Sequence, residues 1–163
     1  MSTEFTIRQM TPSDLPRLEQ IATLSFSWFL RFFASYSLRE EGSVLLCETR
    51  EAIVGFAKLI DFNIGTDKYG CILWIAVHPR FRRKGFATAL ARAGTQHLKQ
   101  DYARAIFAST QRKNKAALAA LGKAGFGQVG FSALWHLFKW RIFEFYRDIR
   151  FAPGEVVMQN QLV

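Results

Sequence analysis

The sequence predicts a single domain of α/β (α+β) class, a mixed and mostly antiparallel sheet flanked by helices. Three observations predict it. Residues 43–49 and 53–62 are apolar, strand-length runs joined by the polar break Arg50-Glu51-Ala52, which makes an antiparallel meander. Residues 71–77 form another apolar run, rich in β-branched residues, which passes through a short basic loop into an amphipathic helix. Residues 105–109 and 114–123 then give a further strand and a helix that stops at Gly125. The 163 residues suit one domain, and half of them are hydrophobic, so the core is sizeable and disorder is excluded for most of the length.

The elements follow in order. Residues 4–8 alternate as a first strand does, and Thr11-Pro12-Ser13-Asp14 supplies capping residues for a helix carrying Leu15, Leu18, Ile21 and Ala22. Residues 25–38, rich in Phe and Trp, predict a second helix; Arg31 and several serines interrupt the run and argue against a membrane span. After the meander, residues 63–70 turn the chain into the strand that ends at Pro79, since proline cannot donate to a sheet ladder. The next helix starts near Gly85 and ends near Lys99. Beyond Phe126, residues 132–149 predict a helical insertion, because Leu134, Phe138, Ile142, Phe145 and Ile149 recur at helical spacing. A long strand pair is the other reading of that stretch. Residues 155–163 would be the last strand, and the atypical aromatic segment as a whole spans 132–152.

Charge and cysteine usage narrow the chemistry. The net charge is +9, from 22 Lys and Arg against 13 Asp and Glu, which favours anionic partners. Cys47 and Cys71 are isolated, and neither they nor the three histidines show ligand spacing, so no metal site is expected. Two lone cysteines in strands read as reduced core residues of a cytoplasmic protein, and the N-terminus has no secretory apolar run.

The basic loop carries the functional reading. A helix start leaves its first N–H groups without internal partners at the positive end of the dipole, which suits an anion. Gly85 lets that backbone come close, and Arg82, Arg83 and Lys84 add charge-assisted donors fit for a diphosphate. The run Val77-x-Pro79-x-x-Arg82-x-x-Gly85-x-Ala87-x-x-Leu90, followed downstream by Asn114-x-x-Ala117 and Gly125-Phe126, resembles the acetyl-CoA-binding elements of the GNAT superfamily of N-acetyltransferases, over roughly residues 5 to 131.

The resemblance implies a splayed parallel strand pair that opens a slot for the pantetheine arm, and acetyl-CoA as co-substrate for direct attack by an amine acceptor. It places backbone groups of Ile75, Ala76 and Val77 on the pantetheine, Arg82, Arg83, Lys84, Gly85, Phe86, Ala87 and Thr88 on the diphosphate, and Asn114 and Ala117 along the slot. Trp28, Phe29, Phe32 and Phe33 wall the acceptor site in this reading, with ordinary core as the alternative. The usual family acid and base are replaced by Leu121 and Ser109. Substitutes are Asp61 or Glu48 as base, and Tyr146, Tyr69 or Cys71 as acid.

Other readings remain. One is a CoA-binding module without turnover, and another, weaker, is nucleic-acid association through Arg112-Lys113-Asn114-Lys115. Trp135, Trp140, Phe143 and Tyr146 leave the aromatic insertion apolar beyond one stripe, which fits burial against the domain or in a homodimer. Lys139, Arg141, Arg147 and Arg150 also permit contact with an anionic membrane surface.

Overall fold

The computed structural model describes residues 3–160, so residues 161–163 of the last predicted strand lie outside the described part. The order is β1 (Phe5–Gln9), α1 (Leu15–Ser25), α2 (Trp28–Ser37), β2 (Ser43–Thr49), β3 (Ile53–Ile64), β4 (Asp67–Val77), α3 (Phe86–Gln100), β5 (Ile106–Gln111), α4 (Lys115–Lys123), β6 (Phe126–Val129), α5 (Phe131–Phe138), α6 (Ile142–Asp148) and β7 (Glu155–Asn160). The strands form one sheet in the order β1-β2-β3-β4-β5-β7-β6. Among the described residues only β4 and β5 pair in parallel; every other neighbouring pair is antiparallel. Among the described residues no helix is long and apolar enough to cross a membrane.

Side-chain alternation along the strands sorts the helices onto two faces. Ala57 and Leu59 of β3 and Ile72 of β4 meet Phe86, Leu90, Ala91 and Leu98 of α3 and Leu121 of α4. That contact is close: a Cβ at Gly94 would lie 2.8 Å from Leu59. Phe56 at one end of β3 packs with α1 and α2, while Ile60, Phe62 and Ile64 on the same face pack with α5 and α6. The two helix pairs therefore share one side of the sheet, and α3 and α4 hold the other.

The aromatic stripe is buried as its spacing predicts: Leu134, Phe138, Ile142, Phe145 and Ile149 all lie in one cluster with Tyr69, Cys71 and Phe107. The single helix expected over 132–149 is corrected to α5, a tight turn at Lys139–Arg141 and α6. Lys139 takes φ +52° and ψ −133°, a backbone conformation outside the helical region, and this breaks the helix while the apolar face stays on the sheet. The turn predicted over residues 63–70 is also tighter than expected, with β3 and β4 paired up to Ile64 and Asp67. The strand β6 was hidden between two signals, a helix stop and an aromatic run, and is defined by pairing with β7.

At the start of α1, Asp14 accepts from Arg8, from the Thr11 N–H at 2.8 Å and from the Thr11 hydroxyl at 3.0 Å. The Arg8 guanidinium holds the Asp14 carboxyl well below the usual carboxylate range. A carboxylate whose pKa is lowered by folding stabilises the fold above its unfolded pKa, and that contribution disappears as pH falls toward the folded value. Asp14→Asn is therefore expected to cost about 1 kcal/mol at neutral pH, since Arg8 is partly open to solvent, with the deficit shrinking below about pH 4. Urea unfolding of both proteins from neutral to acidic pH measures it. Phe145→Ala, which empties the centre of the aromatic cluster, should cost about 3–5 kcal/mol in the same assay.

Candidate functional site

The site is built where β4 leaves β5. The two strands pair only at Gly70 with Ile106, Cys71 with Phe107 and Ile72 with Ala108. Beyond Ile72, β4 carries a bulge: Lys58 faces Trp74 while Leu59 faces Ile72, so Leu73 is the extra residue. From there β4 stays with β3 to Val77, while β5 stays with β7 to Gln111. An edge of β4 and an edge of β5 thus face one another without pairing.

Alternation of hydrogen bonds decides which β4 groups face that opening. The His78 N–H donates to Val54 O at 2.8 Å, which fixes His78, Ala76 and Trp74 as the residues bonded to β3. The backbone of Ile75 and Val77 therefore points to the opening, whereas that of Ala76 is spent on the sheet and corrects its expected role. The Val77 carbonyl is itself occupied, by Arg82 Nε at 3.2 Å and the Ser25 hydroxyl at 3.3 Å.

The basic loop follows directly. Arg82 is anchored by its bond to Val77, Arg83 adopts φ +63° and Gly85 adopts φ +85° at the start of α3. No side chain caps this helix. Its first N–H groups, from Phe86, Ala87 and Thr88, are thus left as donors, and a Cβ placed on Gly85 would meet nothing within 4 Å. Arg82, Arg83, Lys84 and Gly85 are all exposed. Lys84 sits over the Phe81 ring at 5.6 Å. An anion at this position meets donors and positive charge with no steric barrier from the loop, so the chain fits a diphosphate here.

Across the opening, the Asn114 carbonyl oxygen caps α4 by accepting from the Ala117 N–H at 3.1 Å, which leaves its amide N–H groups free to face outward. Ser109 pairs with Val157 on the wall formed by β5 and β7, and Leu121 is buried in the core beneath α3. Trp74, just past the bulge, packs edge-on to Phe26 at 5.2 Å, and its indole nitrogen is buried without a partner. Beside it Lys58 is fully buried, with Nζ donating to Glu40 O at 2.9 Å, and burial lowers its pKa. Glu40 also pairs with Arg150, tying the chain before β2 to the end of α6.

Of the expected acid and base residues, Glu48 and Asp61 stand away from the opening. Glu48 lies two strands from β4 with both carboxylate oxygens on Arg8. Asp61 is opposite Gly70, on the paired side of the bulge, and binds Lys68 at 3.0 Å. Tyr146 packs between Phe145 and Phe151, and burial raises its pKa. Burial also raises Tyr69, and pushes the Cys71 thiol up to about 12 and that of Cys47 up to about 11. Such thiols are inert at neutral pH. His78 is lowered, chiefly by burial with Arg17, Arg80 and Arg82 adding to it, and its Nδ1 accepts from the Arg80 N–H. Trp28, Phe29 and Phe32 stand outside the core, 73%, 57% and 68% exposed on α2.

One carboxylate escaped the sequence reading. Glu155 opens β7 opposite Gln111, on the same face as Val157 and the α5–α6 pair, and its charge acts on Cys71 of β4. Nothing in its local sequence marks it, because its position depends on β7 pairing with β5. It accepts from the Ala152 N–H at 3.0 Å through one oxygen.

The acetyltransferase (GNAT) family profile matches residues 7–126. No curated protein matches the sequence. Among solved structures, the ribosomal-protein-S18-alanine N-acetyltransferase from Escherichia coli superposes with a TM-score of 0.66 at 18% identity, covering 98% of this chain and 96% of that one. The PaiA N-acetyltransferase from Thermoplasma acidophilum, in complex with coenzyme A, superposes at 0.69 with 14% identity, covering 98% and 99%. An assigned streptothricin acetyltransferase from Bacillus anthracis, in complex with acetyl coenzyme A, superposes at 0.66 with 18% identity over the full length of both chains.

The left-handed backbone at Gly85 sets a local expectation. Gly85→Ala should cost about 1–2 kcal/mol through φ alone, with no clash, and a thermal-unfolding comparison with wild type measures it. A loss near zero would mean that the loop relaxes to another conformation.

Proposed function

We propose, from the premise that this chain belongs to the acetyltransferase (GNAT) family, that it transfers an acetyl group from acetyl-CoA to the amine of a small molecule or a protein. The observation that carries this is the uncapped start of α3, with Gly85 and three cationic residues, placed directly after the unpaired edge of β4. When bound, acetyl-CoA supplies a thioester whose acetyl carbon a neutral amine attacks, the C–N bond forming as the C–S bond breaks and CoA leaves as its thiolate.

The chain's own residues then have separable tasks. The N–H groups of Phe86, Ala87 and Thr88, with Arg82, Arg83 and Lys84, hold the diphosphate. The free backbone of Ile75 and the Val77 N–H pair with the pantetheine arm, while Asn114 and Ala117 flank it on the far side. Fixing that long arm through remote contacts converts binding energy into orientation at the reacting carbon. Arg82 has a second task, since its bond to Val77 O holds the loop against the strand. The acceptor enters from the face that carries α1, α2, α5 and α6. Glu155 is the carboxylate on that face of the β5–β7 wall, and it takes a proton from the acceptor's ammonium, directly or through water, so that the neutral amine can attack.

Buried Leu121 and half-buried Ser109, standing where relatives often keep an acid and a base, favour a second reading in which CoA is bound without turnover. Thermal unfolding with acetyl-CoA, CoA and ATP tests the binding common to both. At about 100 times the dissociation constant the CoA compounds should add roughly 2.7 kcal/mol, and ATP markedly less. The triple variant Arg83→Ala, Lys84→Ala, Gly85→Leu should lose this shift while unfolding cooperatively; an unchanged shift would remove the cradle assignment. Release of free CoA thiol over a panel of amines then separates transfer from binding alone. For Glu155→Gln, kcat should fall by about 10²–10⁴ with acetyl-CoA affinity unchanged, and an unaltered pH–rate profile would exclude Glu155 as the base.

A further inference from the structure

The outward side of α2 is built as a packing face. Its inward residues Ala34 and Ser37 are buried, while Trp28, Phe29, Phe32, Phe33 and Tyr36 are 73%, 57%, 68%, 44% and 59% exposed. At 3.6 residues per turn these five rings fall within about 140° of arc, on two rows spaced by four residues, Trp28, Phe32 and Tyr36 in one and Phe29 and Phe33 in the other. The rings form one array, with centroid separations of 6.0 Å for Trp28 and Phe29, 5.1 Å for Phe29 and Phe33, and 5.7 Å for Phe32 and Phe33. A helix that buries alanine and serine while exposing a continuous aromatic stripe has an external partner for that stripe.

Area and composition select the partner. The exposed parts amount to about three whole aromatic side chains, or ~450–750 Å² at ~150–250 Å² each. Doubled across a twofold axis this gives ~900–1,500 Å², which reaches the ~1,000 Å² that a specific interface needs. Interfaces between separable partners are about as apolar as the rest of a protein surface, whereas those of homodimers are more so. The aromatic arc contains no charged residue, since Arg31, the one charge of α2, lies off it. Its border is close to neutral, with Arg39 paired to Glu19 and exposed Glu41 following the helix. Such a border opposes few like charges in a self-contact and lacks the cationic rim that holds a helix on an anionic bilayer. Rows spaced by four residues also interdigitate with copies of themselves at the commonest helix crossing, so the face is complementary to itself.

We propose that this face is the interface of a homodimer, in which α2 of one protomer packs on α2 of its partner across a twofold axis near Phe32 and Phe33. The proposal stands independently of acetyl transfer. It bears on the candidate site through Phe26, which lies between α1 and α2 and packs edge-on to Trp74 beside the bulge of β4. A dimer contact on α2 holds that wall in place.

Sedimentation velocity on the intact chain, over a range of concentrations up to about 100 μM, tests it. Wild type should sediment as a dimer, and its unfolding temperature should rise with protein concentration. Phe29→Glu with Phe32→Glu puts charge into the contact and should raise the dissociation constant at least about 100-fold, giving a monomer that still unfolds cooperatively. Trp140→Ser with Phe143→Ser, exposed but outside α2, should leave the dimer intact. Phe32→Cys tests the same contact without added charge. It should form a disulfide-linked dimer on mild oxidation, because Cys47 and Cys71 are buried and do not compete. The proposal is overturned if wild type is monomeric throughout the range, including the case in which that monomer co-sediments with lipid vesicles instead. It is equally overturned if the dimer survives the Phe29 and Phe32 substitutions, or if those at Trp140 and Phe143 dissociate it in their place.

Discussion

Parallel pairing between β4 and β5 stops after three residue pairs, and the candidate site follows from that loss of register. A continuous parallel ladder would consume the backbone of Ile75 and Val77 and leave no edge for a ligand to join. The bulge at Leu73 prevents it, keeping β4 on β3 while β5 turns toward β7. The cost of an open edge inside a sheet is offset on both sides. Val77 is tied down by Arg82 and Ser25, and β5 retains a full antiparallel partner in β7. A bound extended chain can supply the missing ladder, which is the physical link between the splay and a pantetheine-shaped ligand.

The cationic loop depends on the same departure. Because β4 runs on to Val77 before the chain turns, the start of α3 lies beside the unpaired edge rather than beneath the sheet. Positive φ at Arg83 and Gly85 turns the chain sharply enough for exposed cations and uncapped N–H groups to occupy one short loop. Close packing at Gly94 then fixes the axis of α3 against β3 and β4, so the donors are held by the core and not by the loop alone.

Aromatic side chains serve two opposite ends in this molecule. Phe107, Phe138 and Phe145 pack against one another and the sheet, at centroid distances of 4.6 to 6.0 Å, and close the face that a plain pair of final strands would leave bare. Trp28, Phe32, Trp140 and Phe143 stand outside that cluster. Composition alone does not separate the two groups, since burial depends on which helix face meets the sheet.

The sequence by itself determined the strand meander, the basic loop with its helix start, and the buried stripe from Leu134 to Ile149, because each is a local matter of periodicity, proline, glycine and charge. Resemblance to a known family added the splay and the ligand class, again carried by residues close together in the chain. Only the tertiary structure decided the rest. It set which backbone groups of β4 face the opening, since that alternation is fixed by the register with β3. It set Glu48 on Arg8 two strands from β4, and Asp61 opposite Gly70 on the paired side of the bulge, because strand order and partner choice are long-range. It brought Glu155 onto the face that carries α5 and α6 through the pairing of β7 with β5, and it turned the rings of α2 outward by packing Ala34 and Ser37 inward. Contacts between residues far apart in the chain leave no local pattern, so these features become legible only when the chain is folded.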